Sequence, residues 1–249
     1  MIPSTPTPSF VLPAAVRAVF FDAVGTVLHP EPGAPAVYAD AAARYGISAD
    51  PATVLERFRA AYLREEAVDA RTGWATSEAR ELARWQTIVR ETLPGAPAEC
   101  FDLLYQHFAN PAGWRVPDRA AEVFAALTSR GLILGLASNY DSRLDTVLAG
   151  RHELAALRDR VVVSSRLGVR KPGAAFFQHL LRVAACEPGE MLYVGDDRDN
   201  DFDGAAAAGL RAVLLDPKNR HPDVTPRITA LTDLLTTALE TKRPGGSLQ

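Results

Sequence analysis

The stretch on which the fold turns is Ala18-Val19-Phe20-Phe21-Asp22-Ala23-Val24-Gly25-Thr26-Val27. Its first four residues are apolar, with β-branched and aromatic side chains among them, and the run stops at a carboxylate with a glycine close behind. That pattern reads as a short buried strand rather than a helix. No comparable strand signal follows between residues 32 and 113. Tyr38–Tyr45, Thr53–Val68, Ser77–Thr92 and Ala98–Phe108 instead carry apolar residues at helical spacing, punctuated by Gly46, Gly73 and Pro94-Gly95. Four helices packed on one another are the economical reading of this segment.

Beyond Pro117-Asp118 the texture changes. Helix Arg119–Arg130 ends at Gly131, and strand Leu132–Ala137 follows. Helices are expected around Ser142–Leu148 and Glu153–Arg158, then strand Val161–Val163, helix Ala174–Ala184 and strand Met191–Val194. Helix Asp203–Ala208, strand Ala212–Leu215 and a last helix Ile228–Leu239 complete the series. Strands alternating with helices indicate βαβ units and a mostly parallel sheet, an α/β fold. The expected organisation is a lead-in at 1–15, a core at 16–31 and 114–240, a helical insert at 32–113 and a tail at 241–249.

Composition narrows the function classes. The 249 residues are 47% hydrophobic and 23% charged, which suits a soluble globular enzyme and excludes a disordered chain. A net charge of −3 argues against nucleic-acid and polybasic membrane binders. Cys100 and Cys186 lack CxxC spacing, which excludes a zinc ribbon or a disulfide scaffold and suits a reducing compartment. No apolar run reaches membrane-span length, and the first residues lack the pattern of a secretion signal, so the expectation is cytoplasmic. An oligomeric state is not legible.

Open parallel sheets bind ligands beyond the carboxyl ends of their strands, so the chemistry is sought just after each apolar run. Asp22 stands there as a nucleophile for phosphorus or carbon, or as a turn-initiating Asp. Thr26 reads as a phosphoryl-oxygen ligand or a turn cap. Ser138, with the Asn139 amide, reads as a donor to the same oxygens or as an N-cap for the helix at 142. Lys171 is one of only three lysines, with Lys218 and Lys242, among 27 Lys and Arg residues. A single ammonium reaching into a tight anionic site suits lysine better than a forked guanidinium. Asp196 and Asp201 read as ligands of a hard cation such as Mg²⁺, with Asp197 as an alternative to Asp201. Asp199-x-Asp201-x-Asp203-Gly204 begins like an EF-hand loop, but Leu210 occupies the position of its bidentate Glu.

A carboxylate, a hydroxyl, an ammonium and an acidic cluster, in this order on these elements, resemble the haloacid dehalogenase (HAD) superfamily, closest to its subfamily IA, over about residues 16–240. The resemblance implies a Rossmannoid parallel sheet with a C1-type α-helical cap inserted after the first strand. It further implies Asp22 as nucleophile, Ser138 and Lys171 as catalytic partners, and Thr26 and Asn139 as substrate contacts. Mg²⁺ would be held by Asp22, the Val24 carbonyl, Asp196 and Asp201, and the substrate would be a small phosphorylated molecule.

One departure stands out. Phosphatases of the superfamily carry an acid/base Asp two residues after the nucleophile, and this chain has Val24. Such acid–base assistance is typically worth about 10²–10⁴-fold. Dehalogenases lack that Asp too, but they also lack the metal-binding acidic pair. Phosphonatases use a cap lysine, and residues 32–113 contain none. The readings that follow are a Mg²⁺-dependent phosphatase without its usual acid, a metal-free 2-haloacid dehalogenase, and a catalytically weak binding or regulatory protein. His29 is a remote candidate for the missing acid. Pro32-Gly33 and Pro111–Gly113 are candidate hinges, and Arg57, Arg59, Arg64, Trp74 and Trp85 are candidate pocket residues.

Overall fold

The computed structural model describes residues 10–236. Residues 1–9 of the expected lead-in and the whole expected tail 241–249 lie outside it, while Phe10 and Leu12 pack against the core.

Eight strands occur among the described residues: β1 (Ala18–Phe21), β2 (His29–Pro30), β3 (Trp114–Arg115), β4 (Ile133–Ser138), β5 (Val161–Val163), β6 (Met191–Gly195), β7 (Arg211–Leu215) and β8 (Arg227–Ile228). Six form one sheet in the order β5-β4-β1-β6-β7-β8, with every pairing parallel. Strand order reverses beside β1, the position where such sheets open a crevice for ligands. Both faces of β1 are covered. Val19 and Phe21 belong to one buried apolar cluster and Ala18 and Phe20 to the other. A strand buried on both sides needs an unbroken apolar run, which is why AVFF shows no polar alternation.

Helices α1 (Ala34–Ala43), α2 (Pro51–Arg71), α3 (Glu78–Thr92) and α4 (Ala98–Ala109) all fall between β2 and β3, which pair as a two-stranded antiparallel ribbon. The Asp50 carboxylate accepts from the Thr53 amide at 3.0 Å to start α2, with Pro51 in the first turn, where a missing N–H costs nothing. Ser77 caps α3 in the same way through the Arg80 amide at 3.1 Å. The helices build an apolar core of their own around Val37, Tyr38, Val54, Leu93 and Leu104.

Helices α5 (Ala120–Ser129), α6 (Arg143–Ala149), α7 (Ser164–Leu167), α8 (Ala174–Ala184) and α9 (Gly204–Ala207) complete the core. Three expectations are corrected. The last helix, expected over 228–239, is replaced by β8 and a 3₁₀ turn at Leu231–Leu235, and positions 237–239 lie outside the described residues. Ile228 pairs with β7, and the Asp233 carboxylate takes the Thr229 and Ala230 amides, side-chain bonds that compete with a helix. The element expected at 153–158 is a 3₁₀ helix, His152–Leu157. The helix expected at 203–208 is shortened to α9 by a π-helical turn, Arg198–Asp203, whose Asp201 and Phe202 amides return to the Asp197 carbonyl.

Candidate active site

A cavity of about 460 Å³ opens where the carboxyl ends of β1, β4 and β6 face the four-helix insert. At its base, Lys171 places its ammonium among three acceptors: Asp22 Oδ1 at 2.7 Å, Asp201 Oδ1 at 2.6 Å and the Tyr193 hydroxyl at 2.9 Å. Tyr193 in turn donates to the Ala137 carbonyl at 2.8 Å, which fixes its oxygen as an acceptor for the lysine. Burial works against the charge on Lys171, but Asp201 and Asp22 overcome it and raise its pKa well above the ordinary value. The lysine therefore stays an ammonium.

Asn139 holds the lysine's backbone from both sides. Its Oδ1 accepts the Lys171 amide at 2.8 Å, and its Nδ2 donates to the Lys171 carbonyl at 3.0 Å. The Asn139 side chain is thus committed to positioning Lys171, and the residue itself lines the cavity. Ser138 ends β4, is buried and lines the cavity. Thr26 is fully buried, is not part of the cavity lining, and its hydroxyl donates to Asp196 Oδ1 at 3.4 Å. It braces a carboxylate of the acidic cluster.

Asp22, Asp196 and Asp201 each offer an oxygen within 4.8 Å of the others. Close approach depends on two glycines. Gly25 has φ +98°, and a Cβ there would stand 2.3 Å from Asp196 Oδ1; a Cβ on Gly195 would stand 2.2 Å from Asp201 Oδ2. Asp197 Oδ1 caps the Asp199 and Asn200 amides, while Asp201 belongs to the cluster. Burial, with repulsion from Asp22, Asp201 and Asp197, raises Asp196 to about 8; Asp201 is also raised, by burial, against the pull of Lys171. Once ionised, three crowded carboxylates facing one ammonium leave an excess of negative charge, and an all-oxygen donor set of this kind fits a hard divalent cation.

Val24 lines the cavity with 37% of its surface exposed. His29 pairs with Arg115 on the β2–β3 ribbon and does not line the cavity. Among the candidate pocket residues of the insert only Trp85 reaches the cavity; Arg64 pairs with Glu91 on the outside.

Two features escaped the sequence reading. Tyr193 looked like one more core residue of an apolar strand. The second is a buried ionic cluster joining the insert to the lysine loop: Arg170 meets Asp69 at 2.7 Å, Glu66 at 3.1 Å and Glu81 at 3.5 Å, and Arg84 meets Glu66 at 2.9 Å and also pairs with Asp69. Backbone bonds run alongside it, from Thr76 to Gly168 at 3.1 Å and from Arg170 to Trp74 at 2.9 Å. The signal was present as Glu66/Asp69 on α2 and Glu81/Arg84 on α3, pairs three residues apart that share a helix face.

Comparison with known proteins agrees with this architecture. The family model of haloacid dehalogenase-like hydrolases matches residues 16–209, and the chain belongs to that family. It is 30% identical over 208 residues to the human haloacid dehalogenase-like hydrolase domain-containing protein 3, covering 80% of this chain and 82% of that protein. It is 29% identical over 158 residues to a phosphoserine phosphatase of Thermus thermophilus, covering 60% and 64% of the two chains. In three dimensions it resembles the L-2-haloacid dehalogenase of Xanthobacter autotrophicus, with a TM-score of 0.67 at 17% identity, over 88% of this chain and 96% of that one. The protein is a hydrolase of the HAD fold.

Proposed function

We propose that this hydrolase is a Mg²⁺-dependent phosphatase that acts on a small phosphorylated molecule through an aspartyl-phosphate on Asp22. The observation that carries the proposal is the convergence of three carboxylates around a single buried ammonium at the ends of β1 and β6. A haloacid needs one carboxylate nucleophile and a cationic partner, and the crowding of Asp196 and Asp201 beside them would only repel it. A phosphoryl group carried by a divalent cation makes use of all three. The phosphatase among the relatives supports the same reading.

Asp22 Oδ1 is held by Lys171, which orients the carboxylate and leaves Oδ2 to attack phosphorus. Lys171 also offsets the charge that gathers when an anionic nucleophile meets an anionic substrate. Ser138, which lines the cavity, would donate to a phosphoryl oxygen. Mg²⁺, held by Asp22, Asp196 and Asp201 with the Val24 carbonyl, would supply Lewis-acid stabilisation of the phosphoryl oxygens. With Val24 in the acid/base position, both departure of the leaving group and hydrolysis of the aspartyl-phosphate proceed without side-chain proton transfer, so turnover is slow. The two free cysteines fit a reducing, cytoplasmic setting.

Incubation with acetyl phosphate and Mg²⁺ tests the proposal. Expected are phosphate release that EDTA stops and a phosphoryl adduct on Asp22 detected by mass spectrometry, both absent in Asp22→Asn. Metal-independent halide release from 2-haloacids, with no phosphate release, would replace the proposal by the dehalogenase reading.

A further inference from the structure

The two walls of the cavity differ in chemistry, and the difference bears on the leaving group. All the charged side chains that line it belong to the core: Asp22, Arg143, Lys171, Arg220 and the charged members of the run 196–201, with His221 beside them. The insert contributes no charge. Its wall is built from Phe58, Tyr62, Trp85, Phe101, Tyr105 and Phe108. Phe58 lies within 22° of parallel to Tyr62 and 29° of parallel to Trp85, with ring centroids 6.1 and 6.4 Å away. Arg143 sits over the Tyr105 ring at 3.7 Å, but Asp141 takes its guanidinium at 2.7 and 2.8 Å, so it presents no free charge to a ligand.

An amino acid or a polyphosphate chain placed against this wall would leave its charges without partners, and a sugar would find only tyrosine hydroxyls for its many polar groups, at a cost for each group left unpaired. A planar ring gains contact area and stacking there. Val24 points the same way by separate reasoning. An alcohol leaves phosphorus as an alkoxide, whose basicity is near that of hydroxide (pKa of water about 15.7), and needs a proton on departure. A phenol, with a pKa of about 10 as in tyrosine, leaves as a stable phenoxide without one.

We infer that the site takes aryl phosphate monoesters, phosphorylated phenols whose ring lies against the aromatic wall of the insert. The inference rests on the phosphatase reading above and narrows it. In the first step Asp22 Oδ2 bonds to phosphorus as the bond from phosphorus to the aryl oxygen breaks; the aryloxide leaves with the bonding pair and takes a proton from solvent. Water then attacks the phosphorus of the aspartyl-phosphate and gives up a proton to solvent. Asp22 is restored as a carboxylate and inorganic phosphate departs.

Four substrates separate the parts of this inference, assayed with saturating Mg²⁺. Phenyl and cyclohexyl phosphate share ring size but differ in planarity and leaving group. Benzyl phosphate keeps the aromatic ring on an alkoxide leaving group. Acetyl phosphate has a good leaving group and no ring. Phenyl phosphate is expected to exceed cyclohexyl phosphate in kcat/KM by roughly 10²-fold or more, with benzyl phosphate between them. Trp85→Leu and Phe58→Leu are each expected to lower the ratio of phenyl to acetyl phosphate kcat/KM by about tenfold, from lost ring contact. That ratio is independent of the fraction of folded protein. Acetyl phosphate turnover with phenyl and cyclohexyl phosphate within tenfold of each other, or with the ratio unmoved in both variants, overturns the aryl inference and leaves the phosphatase reading standing. Failure to turn over any of the four, acetyl phosphate included, overturns the phosphatase reading itself.

Discussion

The core wall and the insert wall of the cavity are held by different physics. On the core side the central polar groups are held by directed bonds. Lys171 has three acceptors, its backbone is gripped by Asn139, and Thr26 braces Asp196. On the insert side rings pack against rings, and the contacts are less directional. Such a division separates the reaction from the choice of substrate: displacing one core group by an ångström alters the chemistry, whereas the insert tolerates exchange among apolar side chains of similar volume. Where the walls meet, charge appears inside the insert as well. Asp69 and Arg84 are fully buried; Asp69, Glu66 and Glu81 clamp Arg170, the residue next to Lys171, and Arg84 shares two of these carboxylates.

The largest effect is expected on the core side. Asp22→Asn should lower phosphate release by about 10³-fold or more, because the nucleophile is lost while the fold is kept. Steady-state phosphate assays check this, and a residual rate within tenfold of the parent would show that another group attacks.

Next comes an exchange at the seam between the walls. Val24→Asp should raise turnover of alkyl phosphates up to about 10²–10⁴-fold by restoring a proton donor and a water activator. Aryl and acyl phosphates should gain less at the first step. A folded, Mg²⁺-binding variant with no gain on alkyl phosphates would mean that the insert wall, and not the missing acid, excludes them.

The junction itself can be broken. Asp69→Asn leaves Arg84 and Arg170 buried without their shared carboxylate, and removal of one partner from such a cluster costs about 3–5 kcal/mol. Urea denaturation of both proteins measures it. A loss below about 1 kcal/mol would show that the remaining carboxylates, Glu66 and Glu81, suffice to hold the clamp.

The remaining expectation concerns pH. Asp196 titrates near 8 in the folded chain against 3.8 for the free side chain, so between these values the metal-free folded state binds more protons than the unfolded state. Stability without a divalent cation should therefore fall as pH rises from about 4 to 8, and Mg²⁺ should restore most at the upper end, where the carboxylate is already ionised. Thermal midpoints at pH 5 and pH 8.5, with and without Mg²⁺, test the sign. A metal-free midpoint that rises over the same window would contradict the crowding of the three carboxylates.

Much of the core was legible because its signals are local. A buried strand must be apolar throughout, and the strands at 18–21, 161–163 and 191–195 were located to within a residue for that reason. Polar residues placed just beyond such strands are costly unless they serve the crevice, which is how Asp22, Ser138 and Asp196 drew attention. The helix expected at 228–239 failed because β7 offered Ile228 a strand partner that no local pattern announces. That the Thr26 hydroxyl faces Asp196, 170 residues away, is likewise announced by no local pattern.

By itself the sequence determined the α/β class, the position of the helical insert and the order of the groups along the sheet edge, since period, punctuation and residue type are properties of neighbouring positions. Only the tertiary structure decided which atoms those groups face. Lys171 meets Asp22 across 149 residues and Asp201 across 30, and Arg170 reaches Asp69 across 101. The apolar face of the insert became the aromatic wall of a cavity only once it was set opposite the strand ends. Contacts of such separation are fixed by packing and charge compensation over the whole chain, and no local stretch of residues encodes them.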